Sequence, residues 1–169
     1  MLEPTSEIFV LKSIELLIRK DWKISEQNIY EGLQTVQKNT GLLGRWQIIG
    51  NNPQIICDTG HNEDGIKAIV KQIENTPFKQ LHFVFGTVAD KNPDPILALL
   101  PKKASYYFTN ANIERAMNSE VLKEKALRFG LVGDCYLSVD EAFMKAKNQA
   151  DKSDLIFVGG STFVVAEIL

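Results

Sequence analysis

The chain has 169 residues, 44% of them hydrophobic and 24% charged, with a formal net charge of -2. That length fits one domain, or one with a small appendage, and it is enough to bury a core without disulfides or metal. The near-neutral charge gives no basis for a nucleic acid or an anionic membrane as partner, and no apolar run reaches the roughly 18 residues of a membrane span.

The first residues, Met1-Leu2-Glu3-Pro4, do not have the form of a secretory signal. Cys57 and Cys135 are the only cysteines, which points to a reducing cytoplasm and no disulfide. Ile8, Leu11, Ile14, Leu17 and Ile18 recur at helical spacing, with Thr5 or Ser6 as N-cap. Ser25 opens a second helix, but Asn28 stands where a full capping box wants Glu or Gln. Ile29, Leu33 and Val36 form its buried stripe. Gly41 to Arg45 is a loop, Trp46 to Ile49 a strand, Asn51-Asn52-Pro53 a turn and Gln54 to Asp58 a second strand, so the two strands pair as a hairpin.

Strands and helices then alternate. A helix follows Asn62 and stops near Pro77. Leu81 to Gly86 is short and nearly all apolar, as in a strand covered on both faces. Ile96 to Leu100 is a short helix, and Ala104 to Thr109 is a strand. Asn118 or Ser119 caps a helix to about Phe129, Cys135 to Leu137 is a strand, and Ser138 or Asp140 caps a helix to about Ala150. Leu155 to Val158 is the last strand, and Gly159-Gly160-Ser161 turns it into a final helix, Phe163 to Ile168. The alternation defines an α/β fold with a mostly parallel sheet of about six strands flanked by helices.

Three loops carry groups able to do chemistry. Asp58-Thr59-Gly60-His61-Asn62 lies at a strand's carboxyl end, where open α/β sheets bind ligands. Asp58 can accept hydrogen bonds, His61 can donate or accept, and Asn62 also reads simply as a helix cap. Arg45, in Gly41 to Arg45, suits a phosphate through its planar fork of donors, or is a surface arginine in a flexible loop. Gly159-Gly160-Ser161 offers amides and a hydroxyl to an anion, or is an ordinary turn capped by Ser161. His82, inside an apolar strand, reads as a structural histidine with its polar atoms satisfied. The sequence has no Gly-x-x-x-x-Gly-Lys-Ser/Thr, no Gly-x-Gly-x-x-Gly after a strand, no zinc spacing and no nucleophile elbow.

In this order the loops resemble the C-terminal domain of folylpolyglutamate synthase/dihydrofolate synthase, in the Mur ligase superfamily. The resemblance rests on Gly44-Arg45-Trp46, Asp58-Thr59-Gly60-His61-Asn62, Val84-Phe85-Gly86 with Asp90-Lys91-Asn92, and Gly160-Ser161-Thr162-Phe163-Val164-Val165. It covers nearly all of the chain from about Ile8. It implies a three-layer Rossmann-like domain in one piece, with residues 1–40 as a helical part and 41–169 as the sheet part. It implies a cytoplasmic, monomeric ligase that phosphorylates a carboxylate with ATP and Mg2+ and joins glutamate to dihydropteroate or folylpolyglutamate. Arg45, Asp58, His61 and Asn62 would serve the nucleotide. His61, Ser161 and Phe163 would serve the glutamate, with His61 also in the catalytic role. Phe163 replaces the family's usual tyrosine, so a hydroxyl contact is lost. The family's P-loop, magnesium ligands and most of its folate site belong to an N-terminal ATPase domain that these 169 residues do not contain. The chain is therefore expected to be inactive alone, with the side chains of Asp58 and His61 open to solvent. The same domain of a peptidoglycan Mur ligase, or a stand-alone nucleotide- or anion-binding module, are the rival readings. Thr59-Gly60, with Asn62 after the histidine, favours the folate branch.

Overall fold

The computed structural model describes residues 4–169, with side chains from residue 8 onward. The chain forms two compact units, Met1–Leu43 and Gly44–Leu169.

The first unit carries helices α1 (Pro4–Ile18), α2 (Glu26–Gln34) and α3 (Val36–Thr40). Thr5 and Ser6 lie inside α1, so neither is its cap. The helix starts at Pro4, whose missing N–H costs nothing in a first turn. At α2 the capping box closes after all. Asn28 N donates to Ser25 Oγ at 3.1 Å, and Ser25 N donates to Asn28 Oδ1 at 3.0 Å. An amide oxygen thus does the work expected of Glu or Gln. The expected buried stripes are not buried. Ile8, Leu11, Leu17, Ile18 and Leu33 are exposed, and α2 buries no residue. Helical spacing predicted the helices but not their cover, because three helices of this size present too little apolar surface to enclose one another.

The second unit is built on one six-stranded sheet in the order β1-β2-β6-β3-β4-β5. Its strands are β1 (Gln47–Asn51), β2 (Gln54–Asp58), β3 (Leu81–Phe85), β4 (Ser105–Phe108), β5 (Gly133–Cys135) and β6 (Leu155–Gly159). Strands β1 and β2 form the antiparallel hairpin; every other pairing is parallel. Helices α4 (Glu63–Glu74), α5 (Asp94–Leu97), α6 (Ser119–Leu127), α7 (Val139–Gln149) and α8 (Thr162–Ala166) connect or follow the strands.

Alternation along the strands divides the core into two layers. Ile56, Phe83, Phe85, Tyr106, Phe108 and Phe157 pack with Ile66 and Ile69 of α4, Leu97 of α5 and Leu122 of α6. Cys57, Val84, Tyr107, Ile156 and Val158 pack on the opposite face with Ala142 of α7 and Val164 of α8. A sheet covered on both faces explains why β3 and β6 read as unbroken apolar runs. The strand expected at Cys135 to Leu137 lies two residues earlier, because β5 takes its register from β4, with Tyr106 opposite Gly133. Leu137 is left exposed beyond the strand. Both cysteines are free thiols. Burial, and secondarily the neighbouring Asp58 carboxylate, push the Cys57 thiol up to about 12.

Candidate functional site

Parallel register brings three strand ends to one edge. Asp58 of β2 and Phe85 of β3 both pair with Gly159 of β6. The chain leaves β6 through Gly160 at φ +92, where a Cβ would lie 2.7 Å from Gly86 O and against the Phe85 ring. Only glycine allows that turn to pass so close to β3.

The turn after β2 points its residues in different directions. Asp58 is 8% exposed. Its Oδ2 accepts from Trp46 N at 2.7 Å and its Oδ1 from Gly60 N at 2.8 Å. Thr59 N donates to Gly44 O at 2.9 Å, beside the same loop. Asp58 therefore fastens the Gly44–Trp46 segment, with the exposed Arg45 at its centre, to the turn. The expected open exposure of Asp58 does not hold: the two amides bring the carboxylate inward. For His61 it does hold. The His61 Nδ1 lies 3.0 Å from Thr59 O. A carbonyl only accepts, so Nδ1 is the donor of this contact, which leaves Nε2 as the acceptor in the ring's uncharged form. Asn62 caps α4, accepting from Gly65 N at 2.8 Å.

These turns wall a cleft of about 260 Å³ whose lining includes His61, Thr87, Lys91, Arg115, Ser161 and Phe163. Ser161 is 6% exposed, and its Oγ accepts from Phe163 N at 3.2 Å as the cap of α8. Phe163 is half-buried and carries the Arg115 guanidinium over its ring, 4.9 Å from the centroid. The structure thus unites His61, Ser161 and Phe163 in one cleft. Arg45 and Asp58 are not among its lining residues, nor is Asn62. Arg115 and Lys91 were missed as site residues. Lys91 stood in a quoted motif without a role. Arg115 had one usable signal: it follows β4, and every parallel strand opens its C-terminal loop on the same edge.

His82 is far from this chemistry in role. Its Nδ1 meets Tyr107 Oη at 2.8 Å and its Nε2 meets Asp154 Oδ2 at 3.3 Å, with all three groups buried. Burial alone would raise the Asp154 carboxyl. Hydrogen bonds from Asp151 N, His82 and Gln80 N outweigh it and hold the group below the ordinary aspartate value. This is the satisfied structural histidine that its apolar setting predicted. Among the described residues no group of three or more His, Cys, Asp or Glu side chains could hold a metal ion, and no helix is long and apolar enough to cross a membrane.

Fold and cleft together define a Rossmann-like α/β domain with a cationic, polar cleft at the carboxyl ends of its strands. The family described as "Mur ligase, glutamate ligase domain" matches residues 44–162, and the chain belongs to that family. It is 31% identical over 131 residues to a dihydrofolate synthase/folylpolyglutamate synthase of Buchnera aphidicola, covering 76% of this chain and 31% of that protein. It is 30% identical over 156 residues to a probable bifunctional folylpolyglutamate synthase/dihydropteroate synthase of Haloferax volcanii, covering 92% of this chain and 18% of that one. A UDP-N-acetylmuramoyl-L-alanyl-D-glutamate–2,6-diaminopimelate ligase of Listeria monocytogenes is 24% identical over 139 residues, covering 77% of this chain and 28% of that protein. Among solved structures, E. coli FolC in complex with DHPP and ADP superposes with a TM-score of 0.77 at 26% identity, covering 92% of this chain and 36% of that one. A bifunctional folylpolyglutamate synthase/dihydrofolate synthase with Mn, AMPPNP and L-glutamate bound gives a TM-score of 0.79 at 25% identity, covering 92% of this chain and 36% of that one. The chain spans a minority of the length of each of these proteins.

Proposed function

We propose that this chain is the C-terminal domain of an ATP-dependent ligase that joins glutamate to dihydropteroate or to folylpolyglutamate through an acyl phosphate. The observation that carries the reading is the cleft itself. Two cations, Lys91 and Arg115, face the same space as a histidine acceptor and a serine, which is the complement of an amino acid with two carboxylates and an amine. His61 Nε2 accepts from the amine, and Ser161 and Phe163 line the same cleft. Arg45 meets the ATP phosphates from the neighbouring loop. Asp58 serves that contact by holding the arginine's backbone, and Asn62 serves it by fixing the start of α4. Electrostatic positioning of this kind is the larger part of what an acyl-phosphate reaction needs from a protein.

The fit to cofactors is unequal. Exposed Arg45 suits a triphosphate. The described residues include no metal-ligand cluster, so Mg2+ would be held by an N-terminal ATPase domain and by ATP. The 169 residues contain no P-loop motif, and they supply one half of a site that closes between domains. The exposed Ile8, Phe9, Leu11 and Leu16 of α1 suit burial against that ATPase domain. A cytoplasmic enzyme accords with the two unpaired cysteines.

The test is a titration of the 15N-labelled chain with L-glutamate and, separately, with ATP and Mg2+. Glutamate should shift His61, Ser161 and Thr87, and ATP should shift Arg45 and Trp46. The chain alone should produce no ATP-dependent ligation. A silent cleft at millimolar glutamate, or turnover by the chain alone, would overturn the reading.

A further inference from the structure

Arg115 is held over the cleft by three separate contacts. Its loop pairs with the one after β3: Val88 bridges Ala116 in antiparallel register, Ala89 N donates to Arg115 O at 2.8 Å, and Met117 N donates to Thr87 O at 2.9 Å. That short ladder brings Asp90 beside Arg115, with Nη1 and Oδ2 3.4 Å apart. The Phe163 ring supports the guanidinium at 4.9 Å. Stacking engages the face of a guanidinium and leaves its N–H edge for hydrogen bonds. One of those N–H groups meets Asp90 across a long contact between side chains that are 55% and 52% exposed. Water screens such a pair, and it contributes little by itself.

We propose that Asp90 occupies the place of a substrate carboxylate on Arg115. The side-chain carboxylate of an acidic amino acid takes over the arginine's N–H edge in a two-pronged contact, and Asp90 withdraws into solvent. Phe163 is a positioning residue, keeping the guanidinium in its plane during the exchange. The ring performs that role without a hydroxyl. This assignment rests on the reading of the cleft as a glutamate site and adds the device that selects an acidic side chain. It involves no bond making or breaking, only an exchange of ion-pair partners.

The experiment is an NMR titration of the labelled chain with L-glutamate and with L-glutamine, following Arg115 Nε–H together with His61 and Ser161. Asp90→Asn removes the competing carboxylate and should tighten glutamate about threefold. It should leave glutamine unchanged. Phe163→Leu should weaken glutamate about threefold, and Phe163→Tyr, which keeps the ring, should restore the affinity lost by leucine. Arg115→Lys keeps the charge without the fork and should weaken glutamate about tenfold. An Asp90→Asn chain that binds glutamate no tighter, or a Phe163→Leu chain that binds as well as wild type, would overturn the exchange. Shifts at His61 and Ser161 with none at Arg115 would remove Arg115 and leave the cleft reading intact. No shift at any of the three would remove the cleft reading itself.

Discussion

Replacing Asp58 with alanine decides whether this carboxylate is a ligand group or a clasp. The substitution removes both acceptors, Oδ2 for Trp46 N at 2.7 Å and Oδ1 for Gly60 N at 2.8 Å. A buried donor stripped of its partner costs about 1–3 kcal/mol. Trp46 and Gly60 are only half-buried, so water recovers part of the loss and the low end applies to each, giving about 2–3 kcal/mol in all. For a chain of this size each kcal/mol moves the melting midpoint by about 2–4 °C, so Asp58→Ala should melt about 4–12 °C lower. Asp58→Asn keeps one acceptor and should lose about half as much. Tryptophan fluorescence during a thermal melt is the direct assay. Trp46 packs against Phe157 with ring centroids 6.0 Å apart, whereas Trp22 is exposed, so the cooperative change reports the Trp46 loop. A midpoint within about 2 °C of wild type would refute the clasp and return Asp58 to a direct ligand role.

Other expected outcomes follow from named groups. The Asp154 carboxyl is held below its ordinary value in the folded chain. The stability it contributes is therefore present above the unfolded value of 3.8 and is lost as pH falls through the lower folded value. Asp154→Asn should melt lower than wild type at neutral pH, and the gap should narrow in acid below that value; a gap constant with pH would contradict the assignment. With Cys57 at about 12 and fully buried, a thiol reagent at pH 8 should label the half-buried Cys135 first and reach Cys57 only on unfolding, as mass spectrometry of the native chain would report. Gly160→Ala forces a side chain onto φ +92 and into Gly86 O at 2.7 Å, and should cost about 2 kcal/mol or more in urea unfolding.

Much of the sheet was legible, and the reasons are physical. Strands β3 and β6 carry apolar residues on both faces because helices cover both faces, and a short apolar run between turns has few other readings. Asn62, Asn118 and Ser138 were readable as caps because a cap acts within three residues of itself. Strand β5 was misplaced because its residues Gly133, Asp134 and Cys135 carry almost no apolar signal; its register comes from β4, far away in sequence. The same limit applies to the site. His61 and Ser161 sit in recognisable strand-end turns. Arg115 enters the cleft only because the loops after β3 and β4 pair, and Asp58 turns inward only because Trp46 N, twelve residues earlier, arrives to meet it.

That inward turn changes how the five residues after β2 work together. Asp58 is committed to the backbone that carries Arg45, Asn62 is committed to the first turn of α4, and His61 between them is left free with its Nδ1 fixed by Thr59 O. The turn therefore couples the Arg45 loop and the cleft through main chain instead of through a shared ligand. A change at His61 should disturb the cleft alone. A change at Asp58 should disturb both, because Gly60 N and Trp46 N hang on the same carboxylate. If His61→Ala and Asp58→Ala gave the same set of shifted resonances in an otherwise folded chain, the coupling would run through the cleft, and the division of labour within the turn would be wrong.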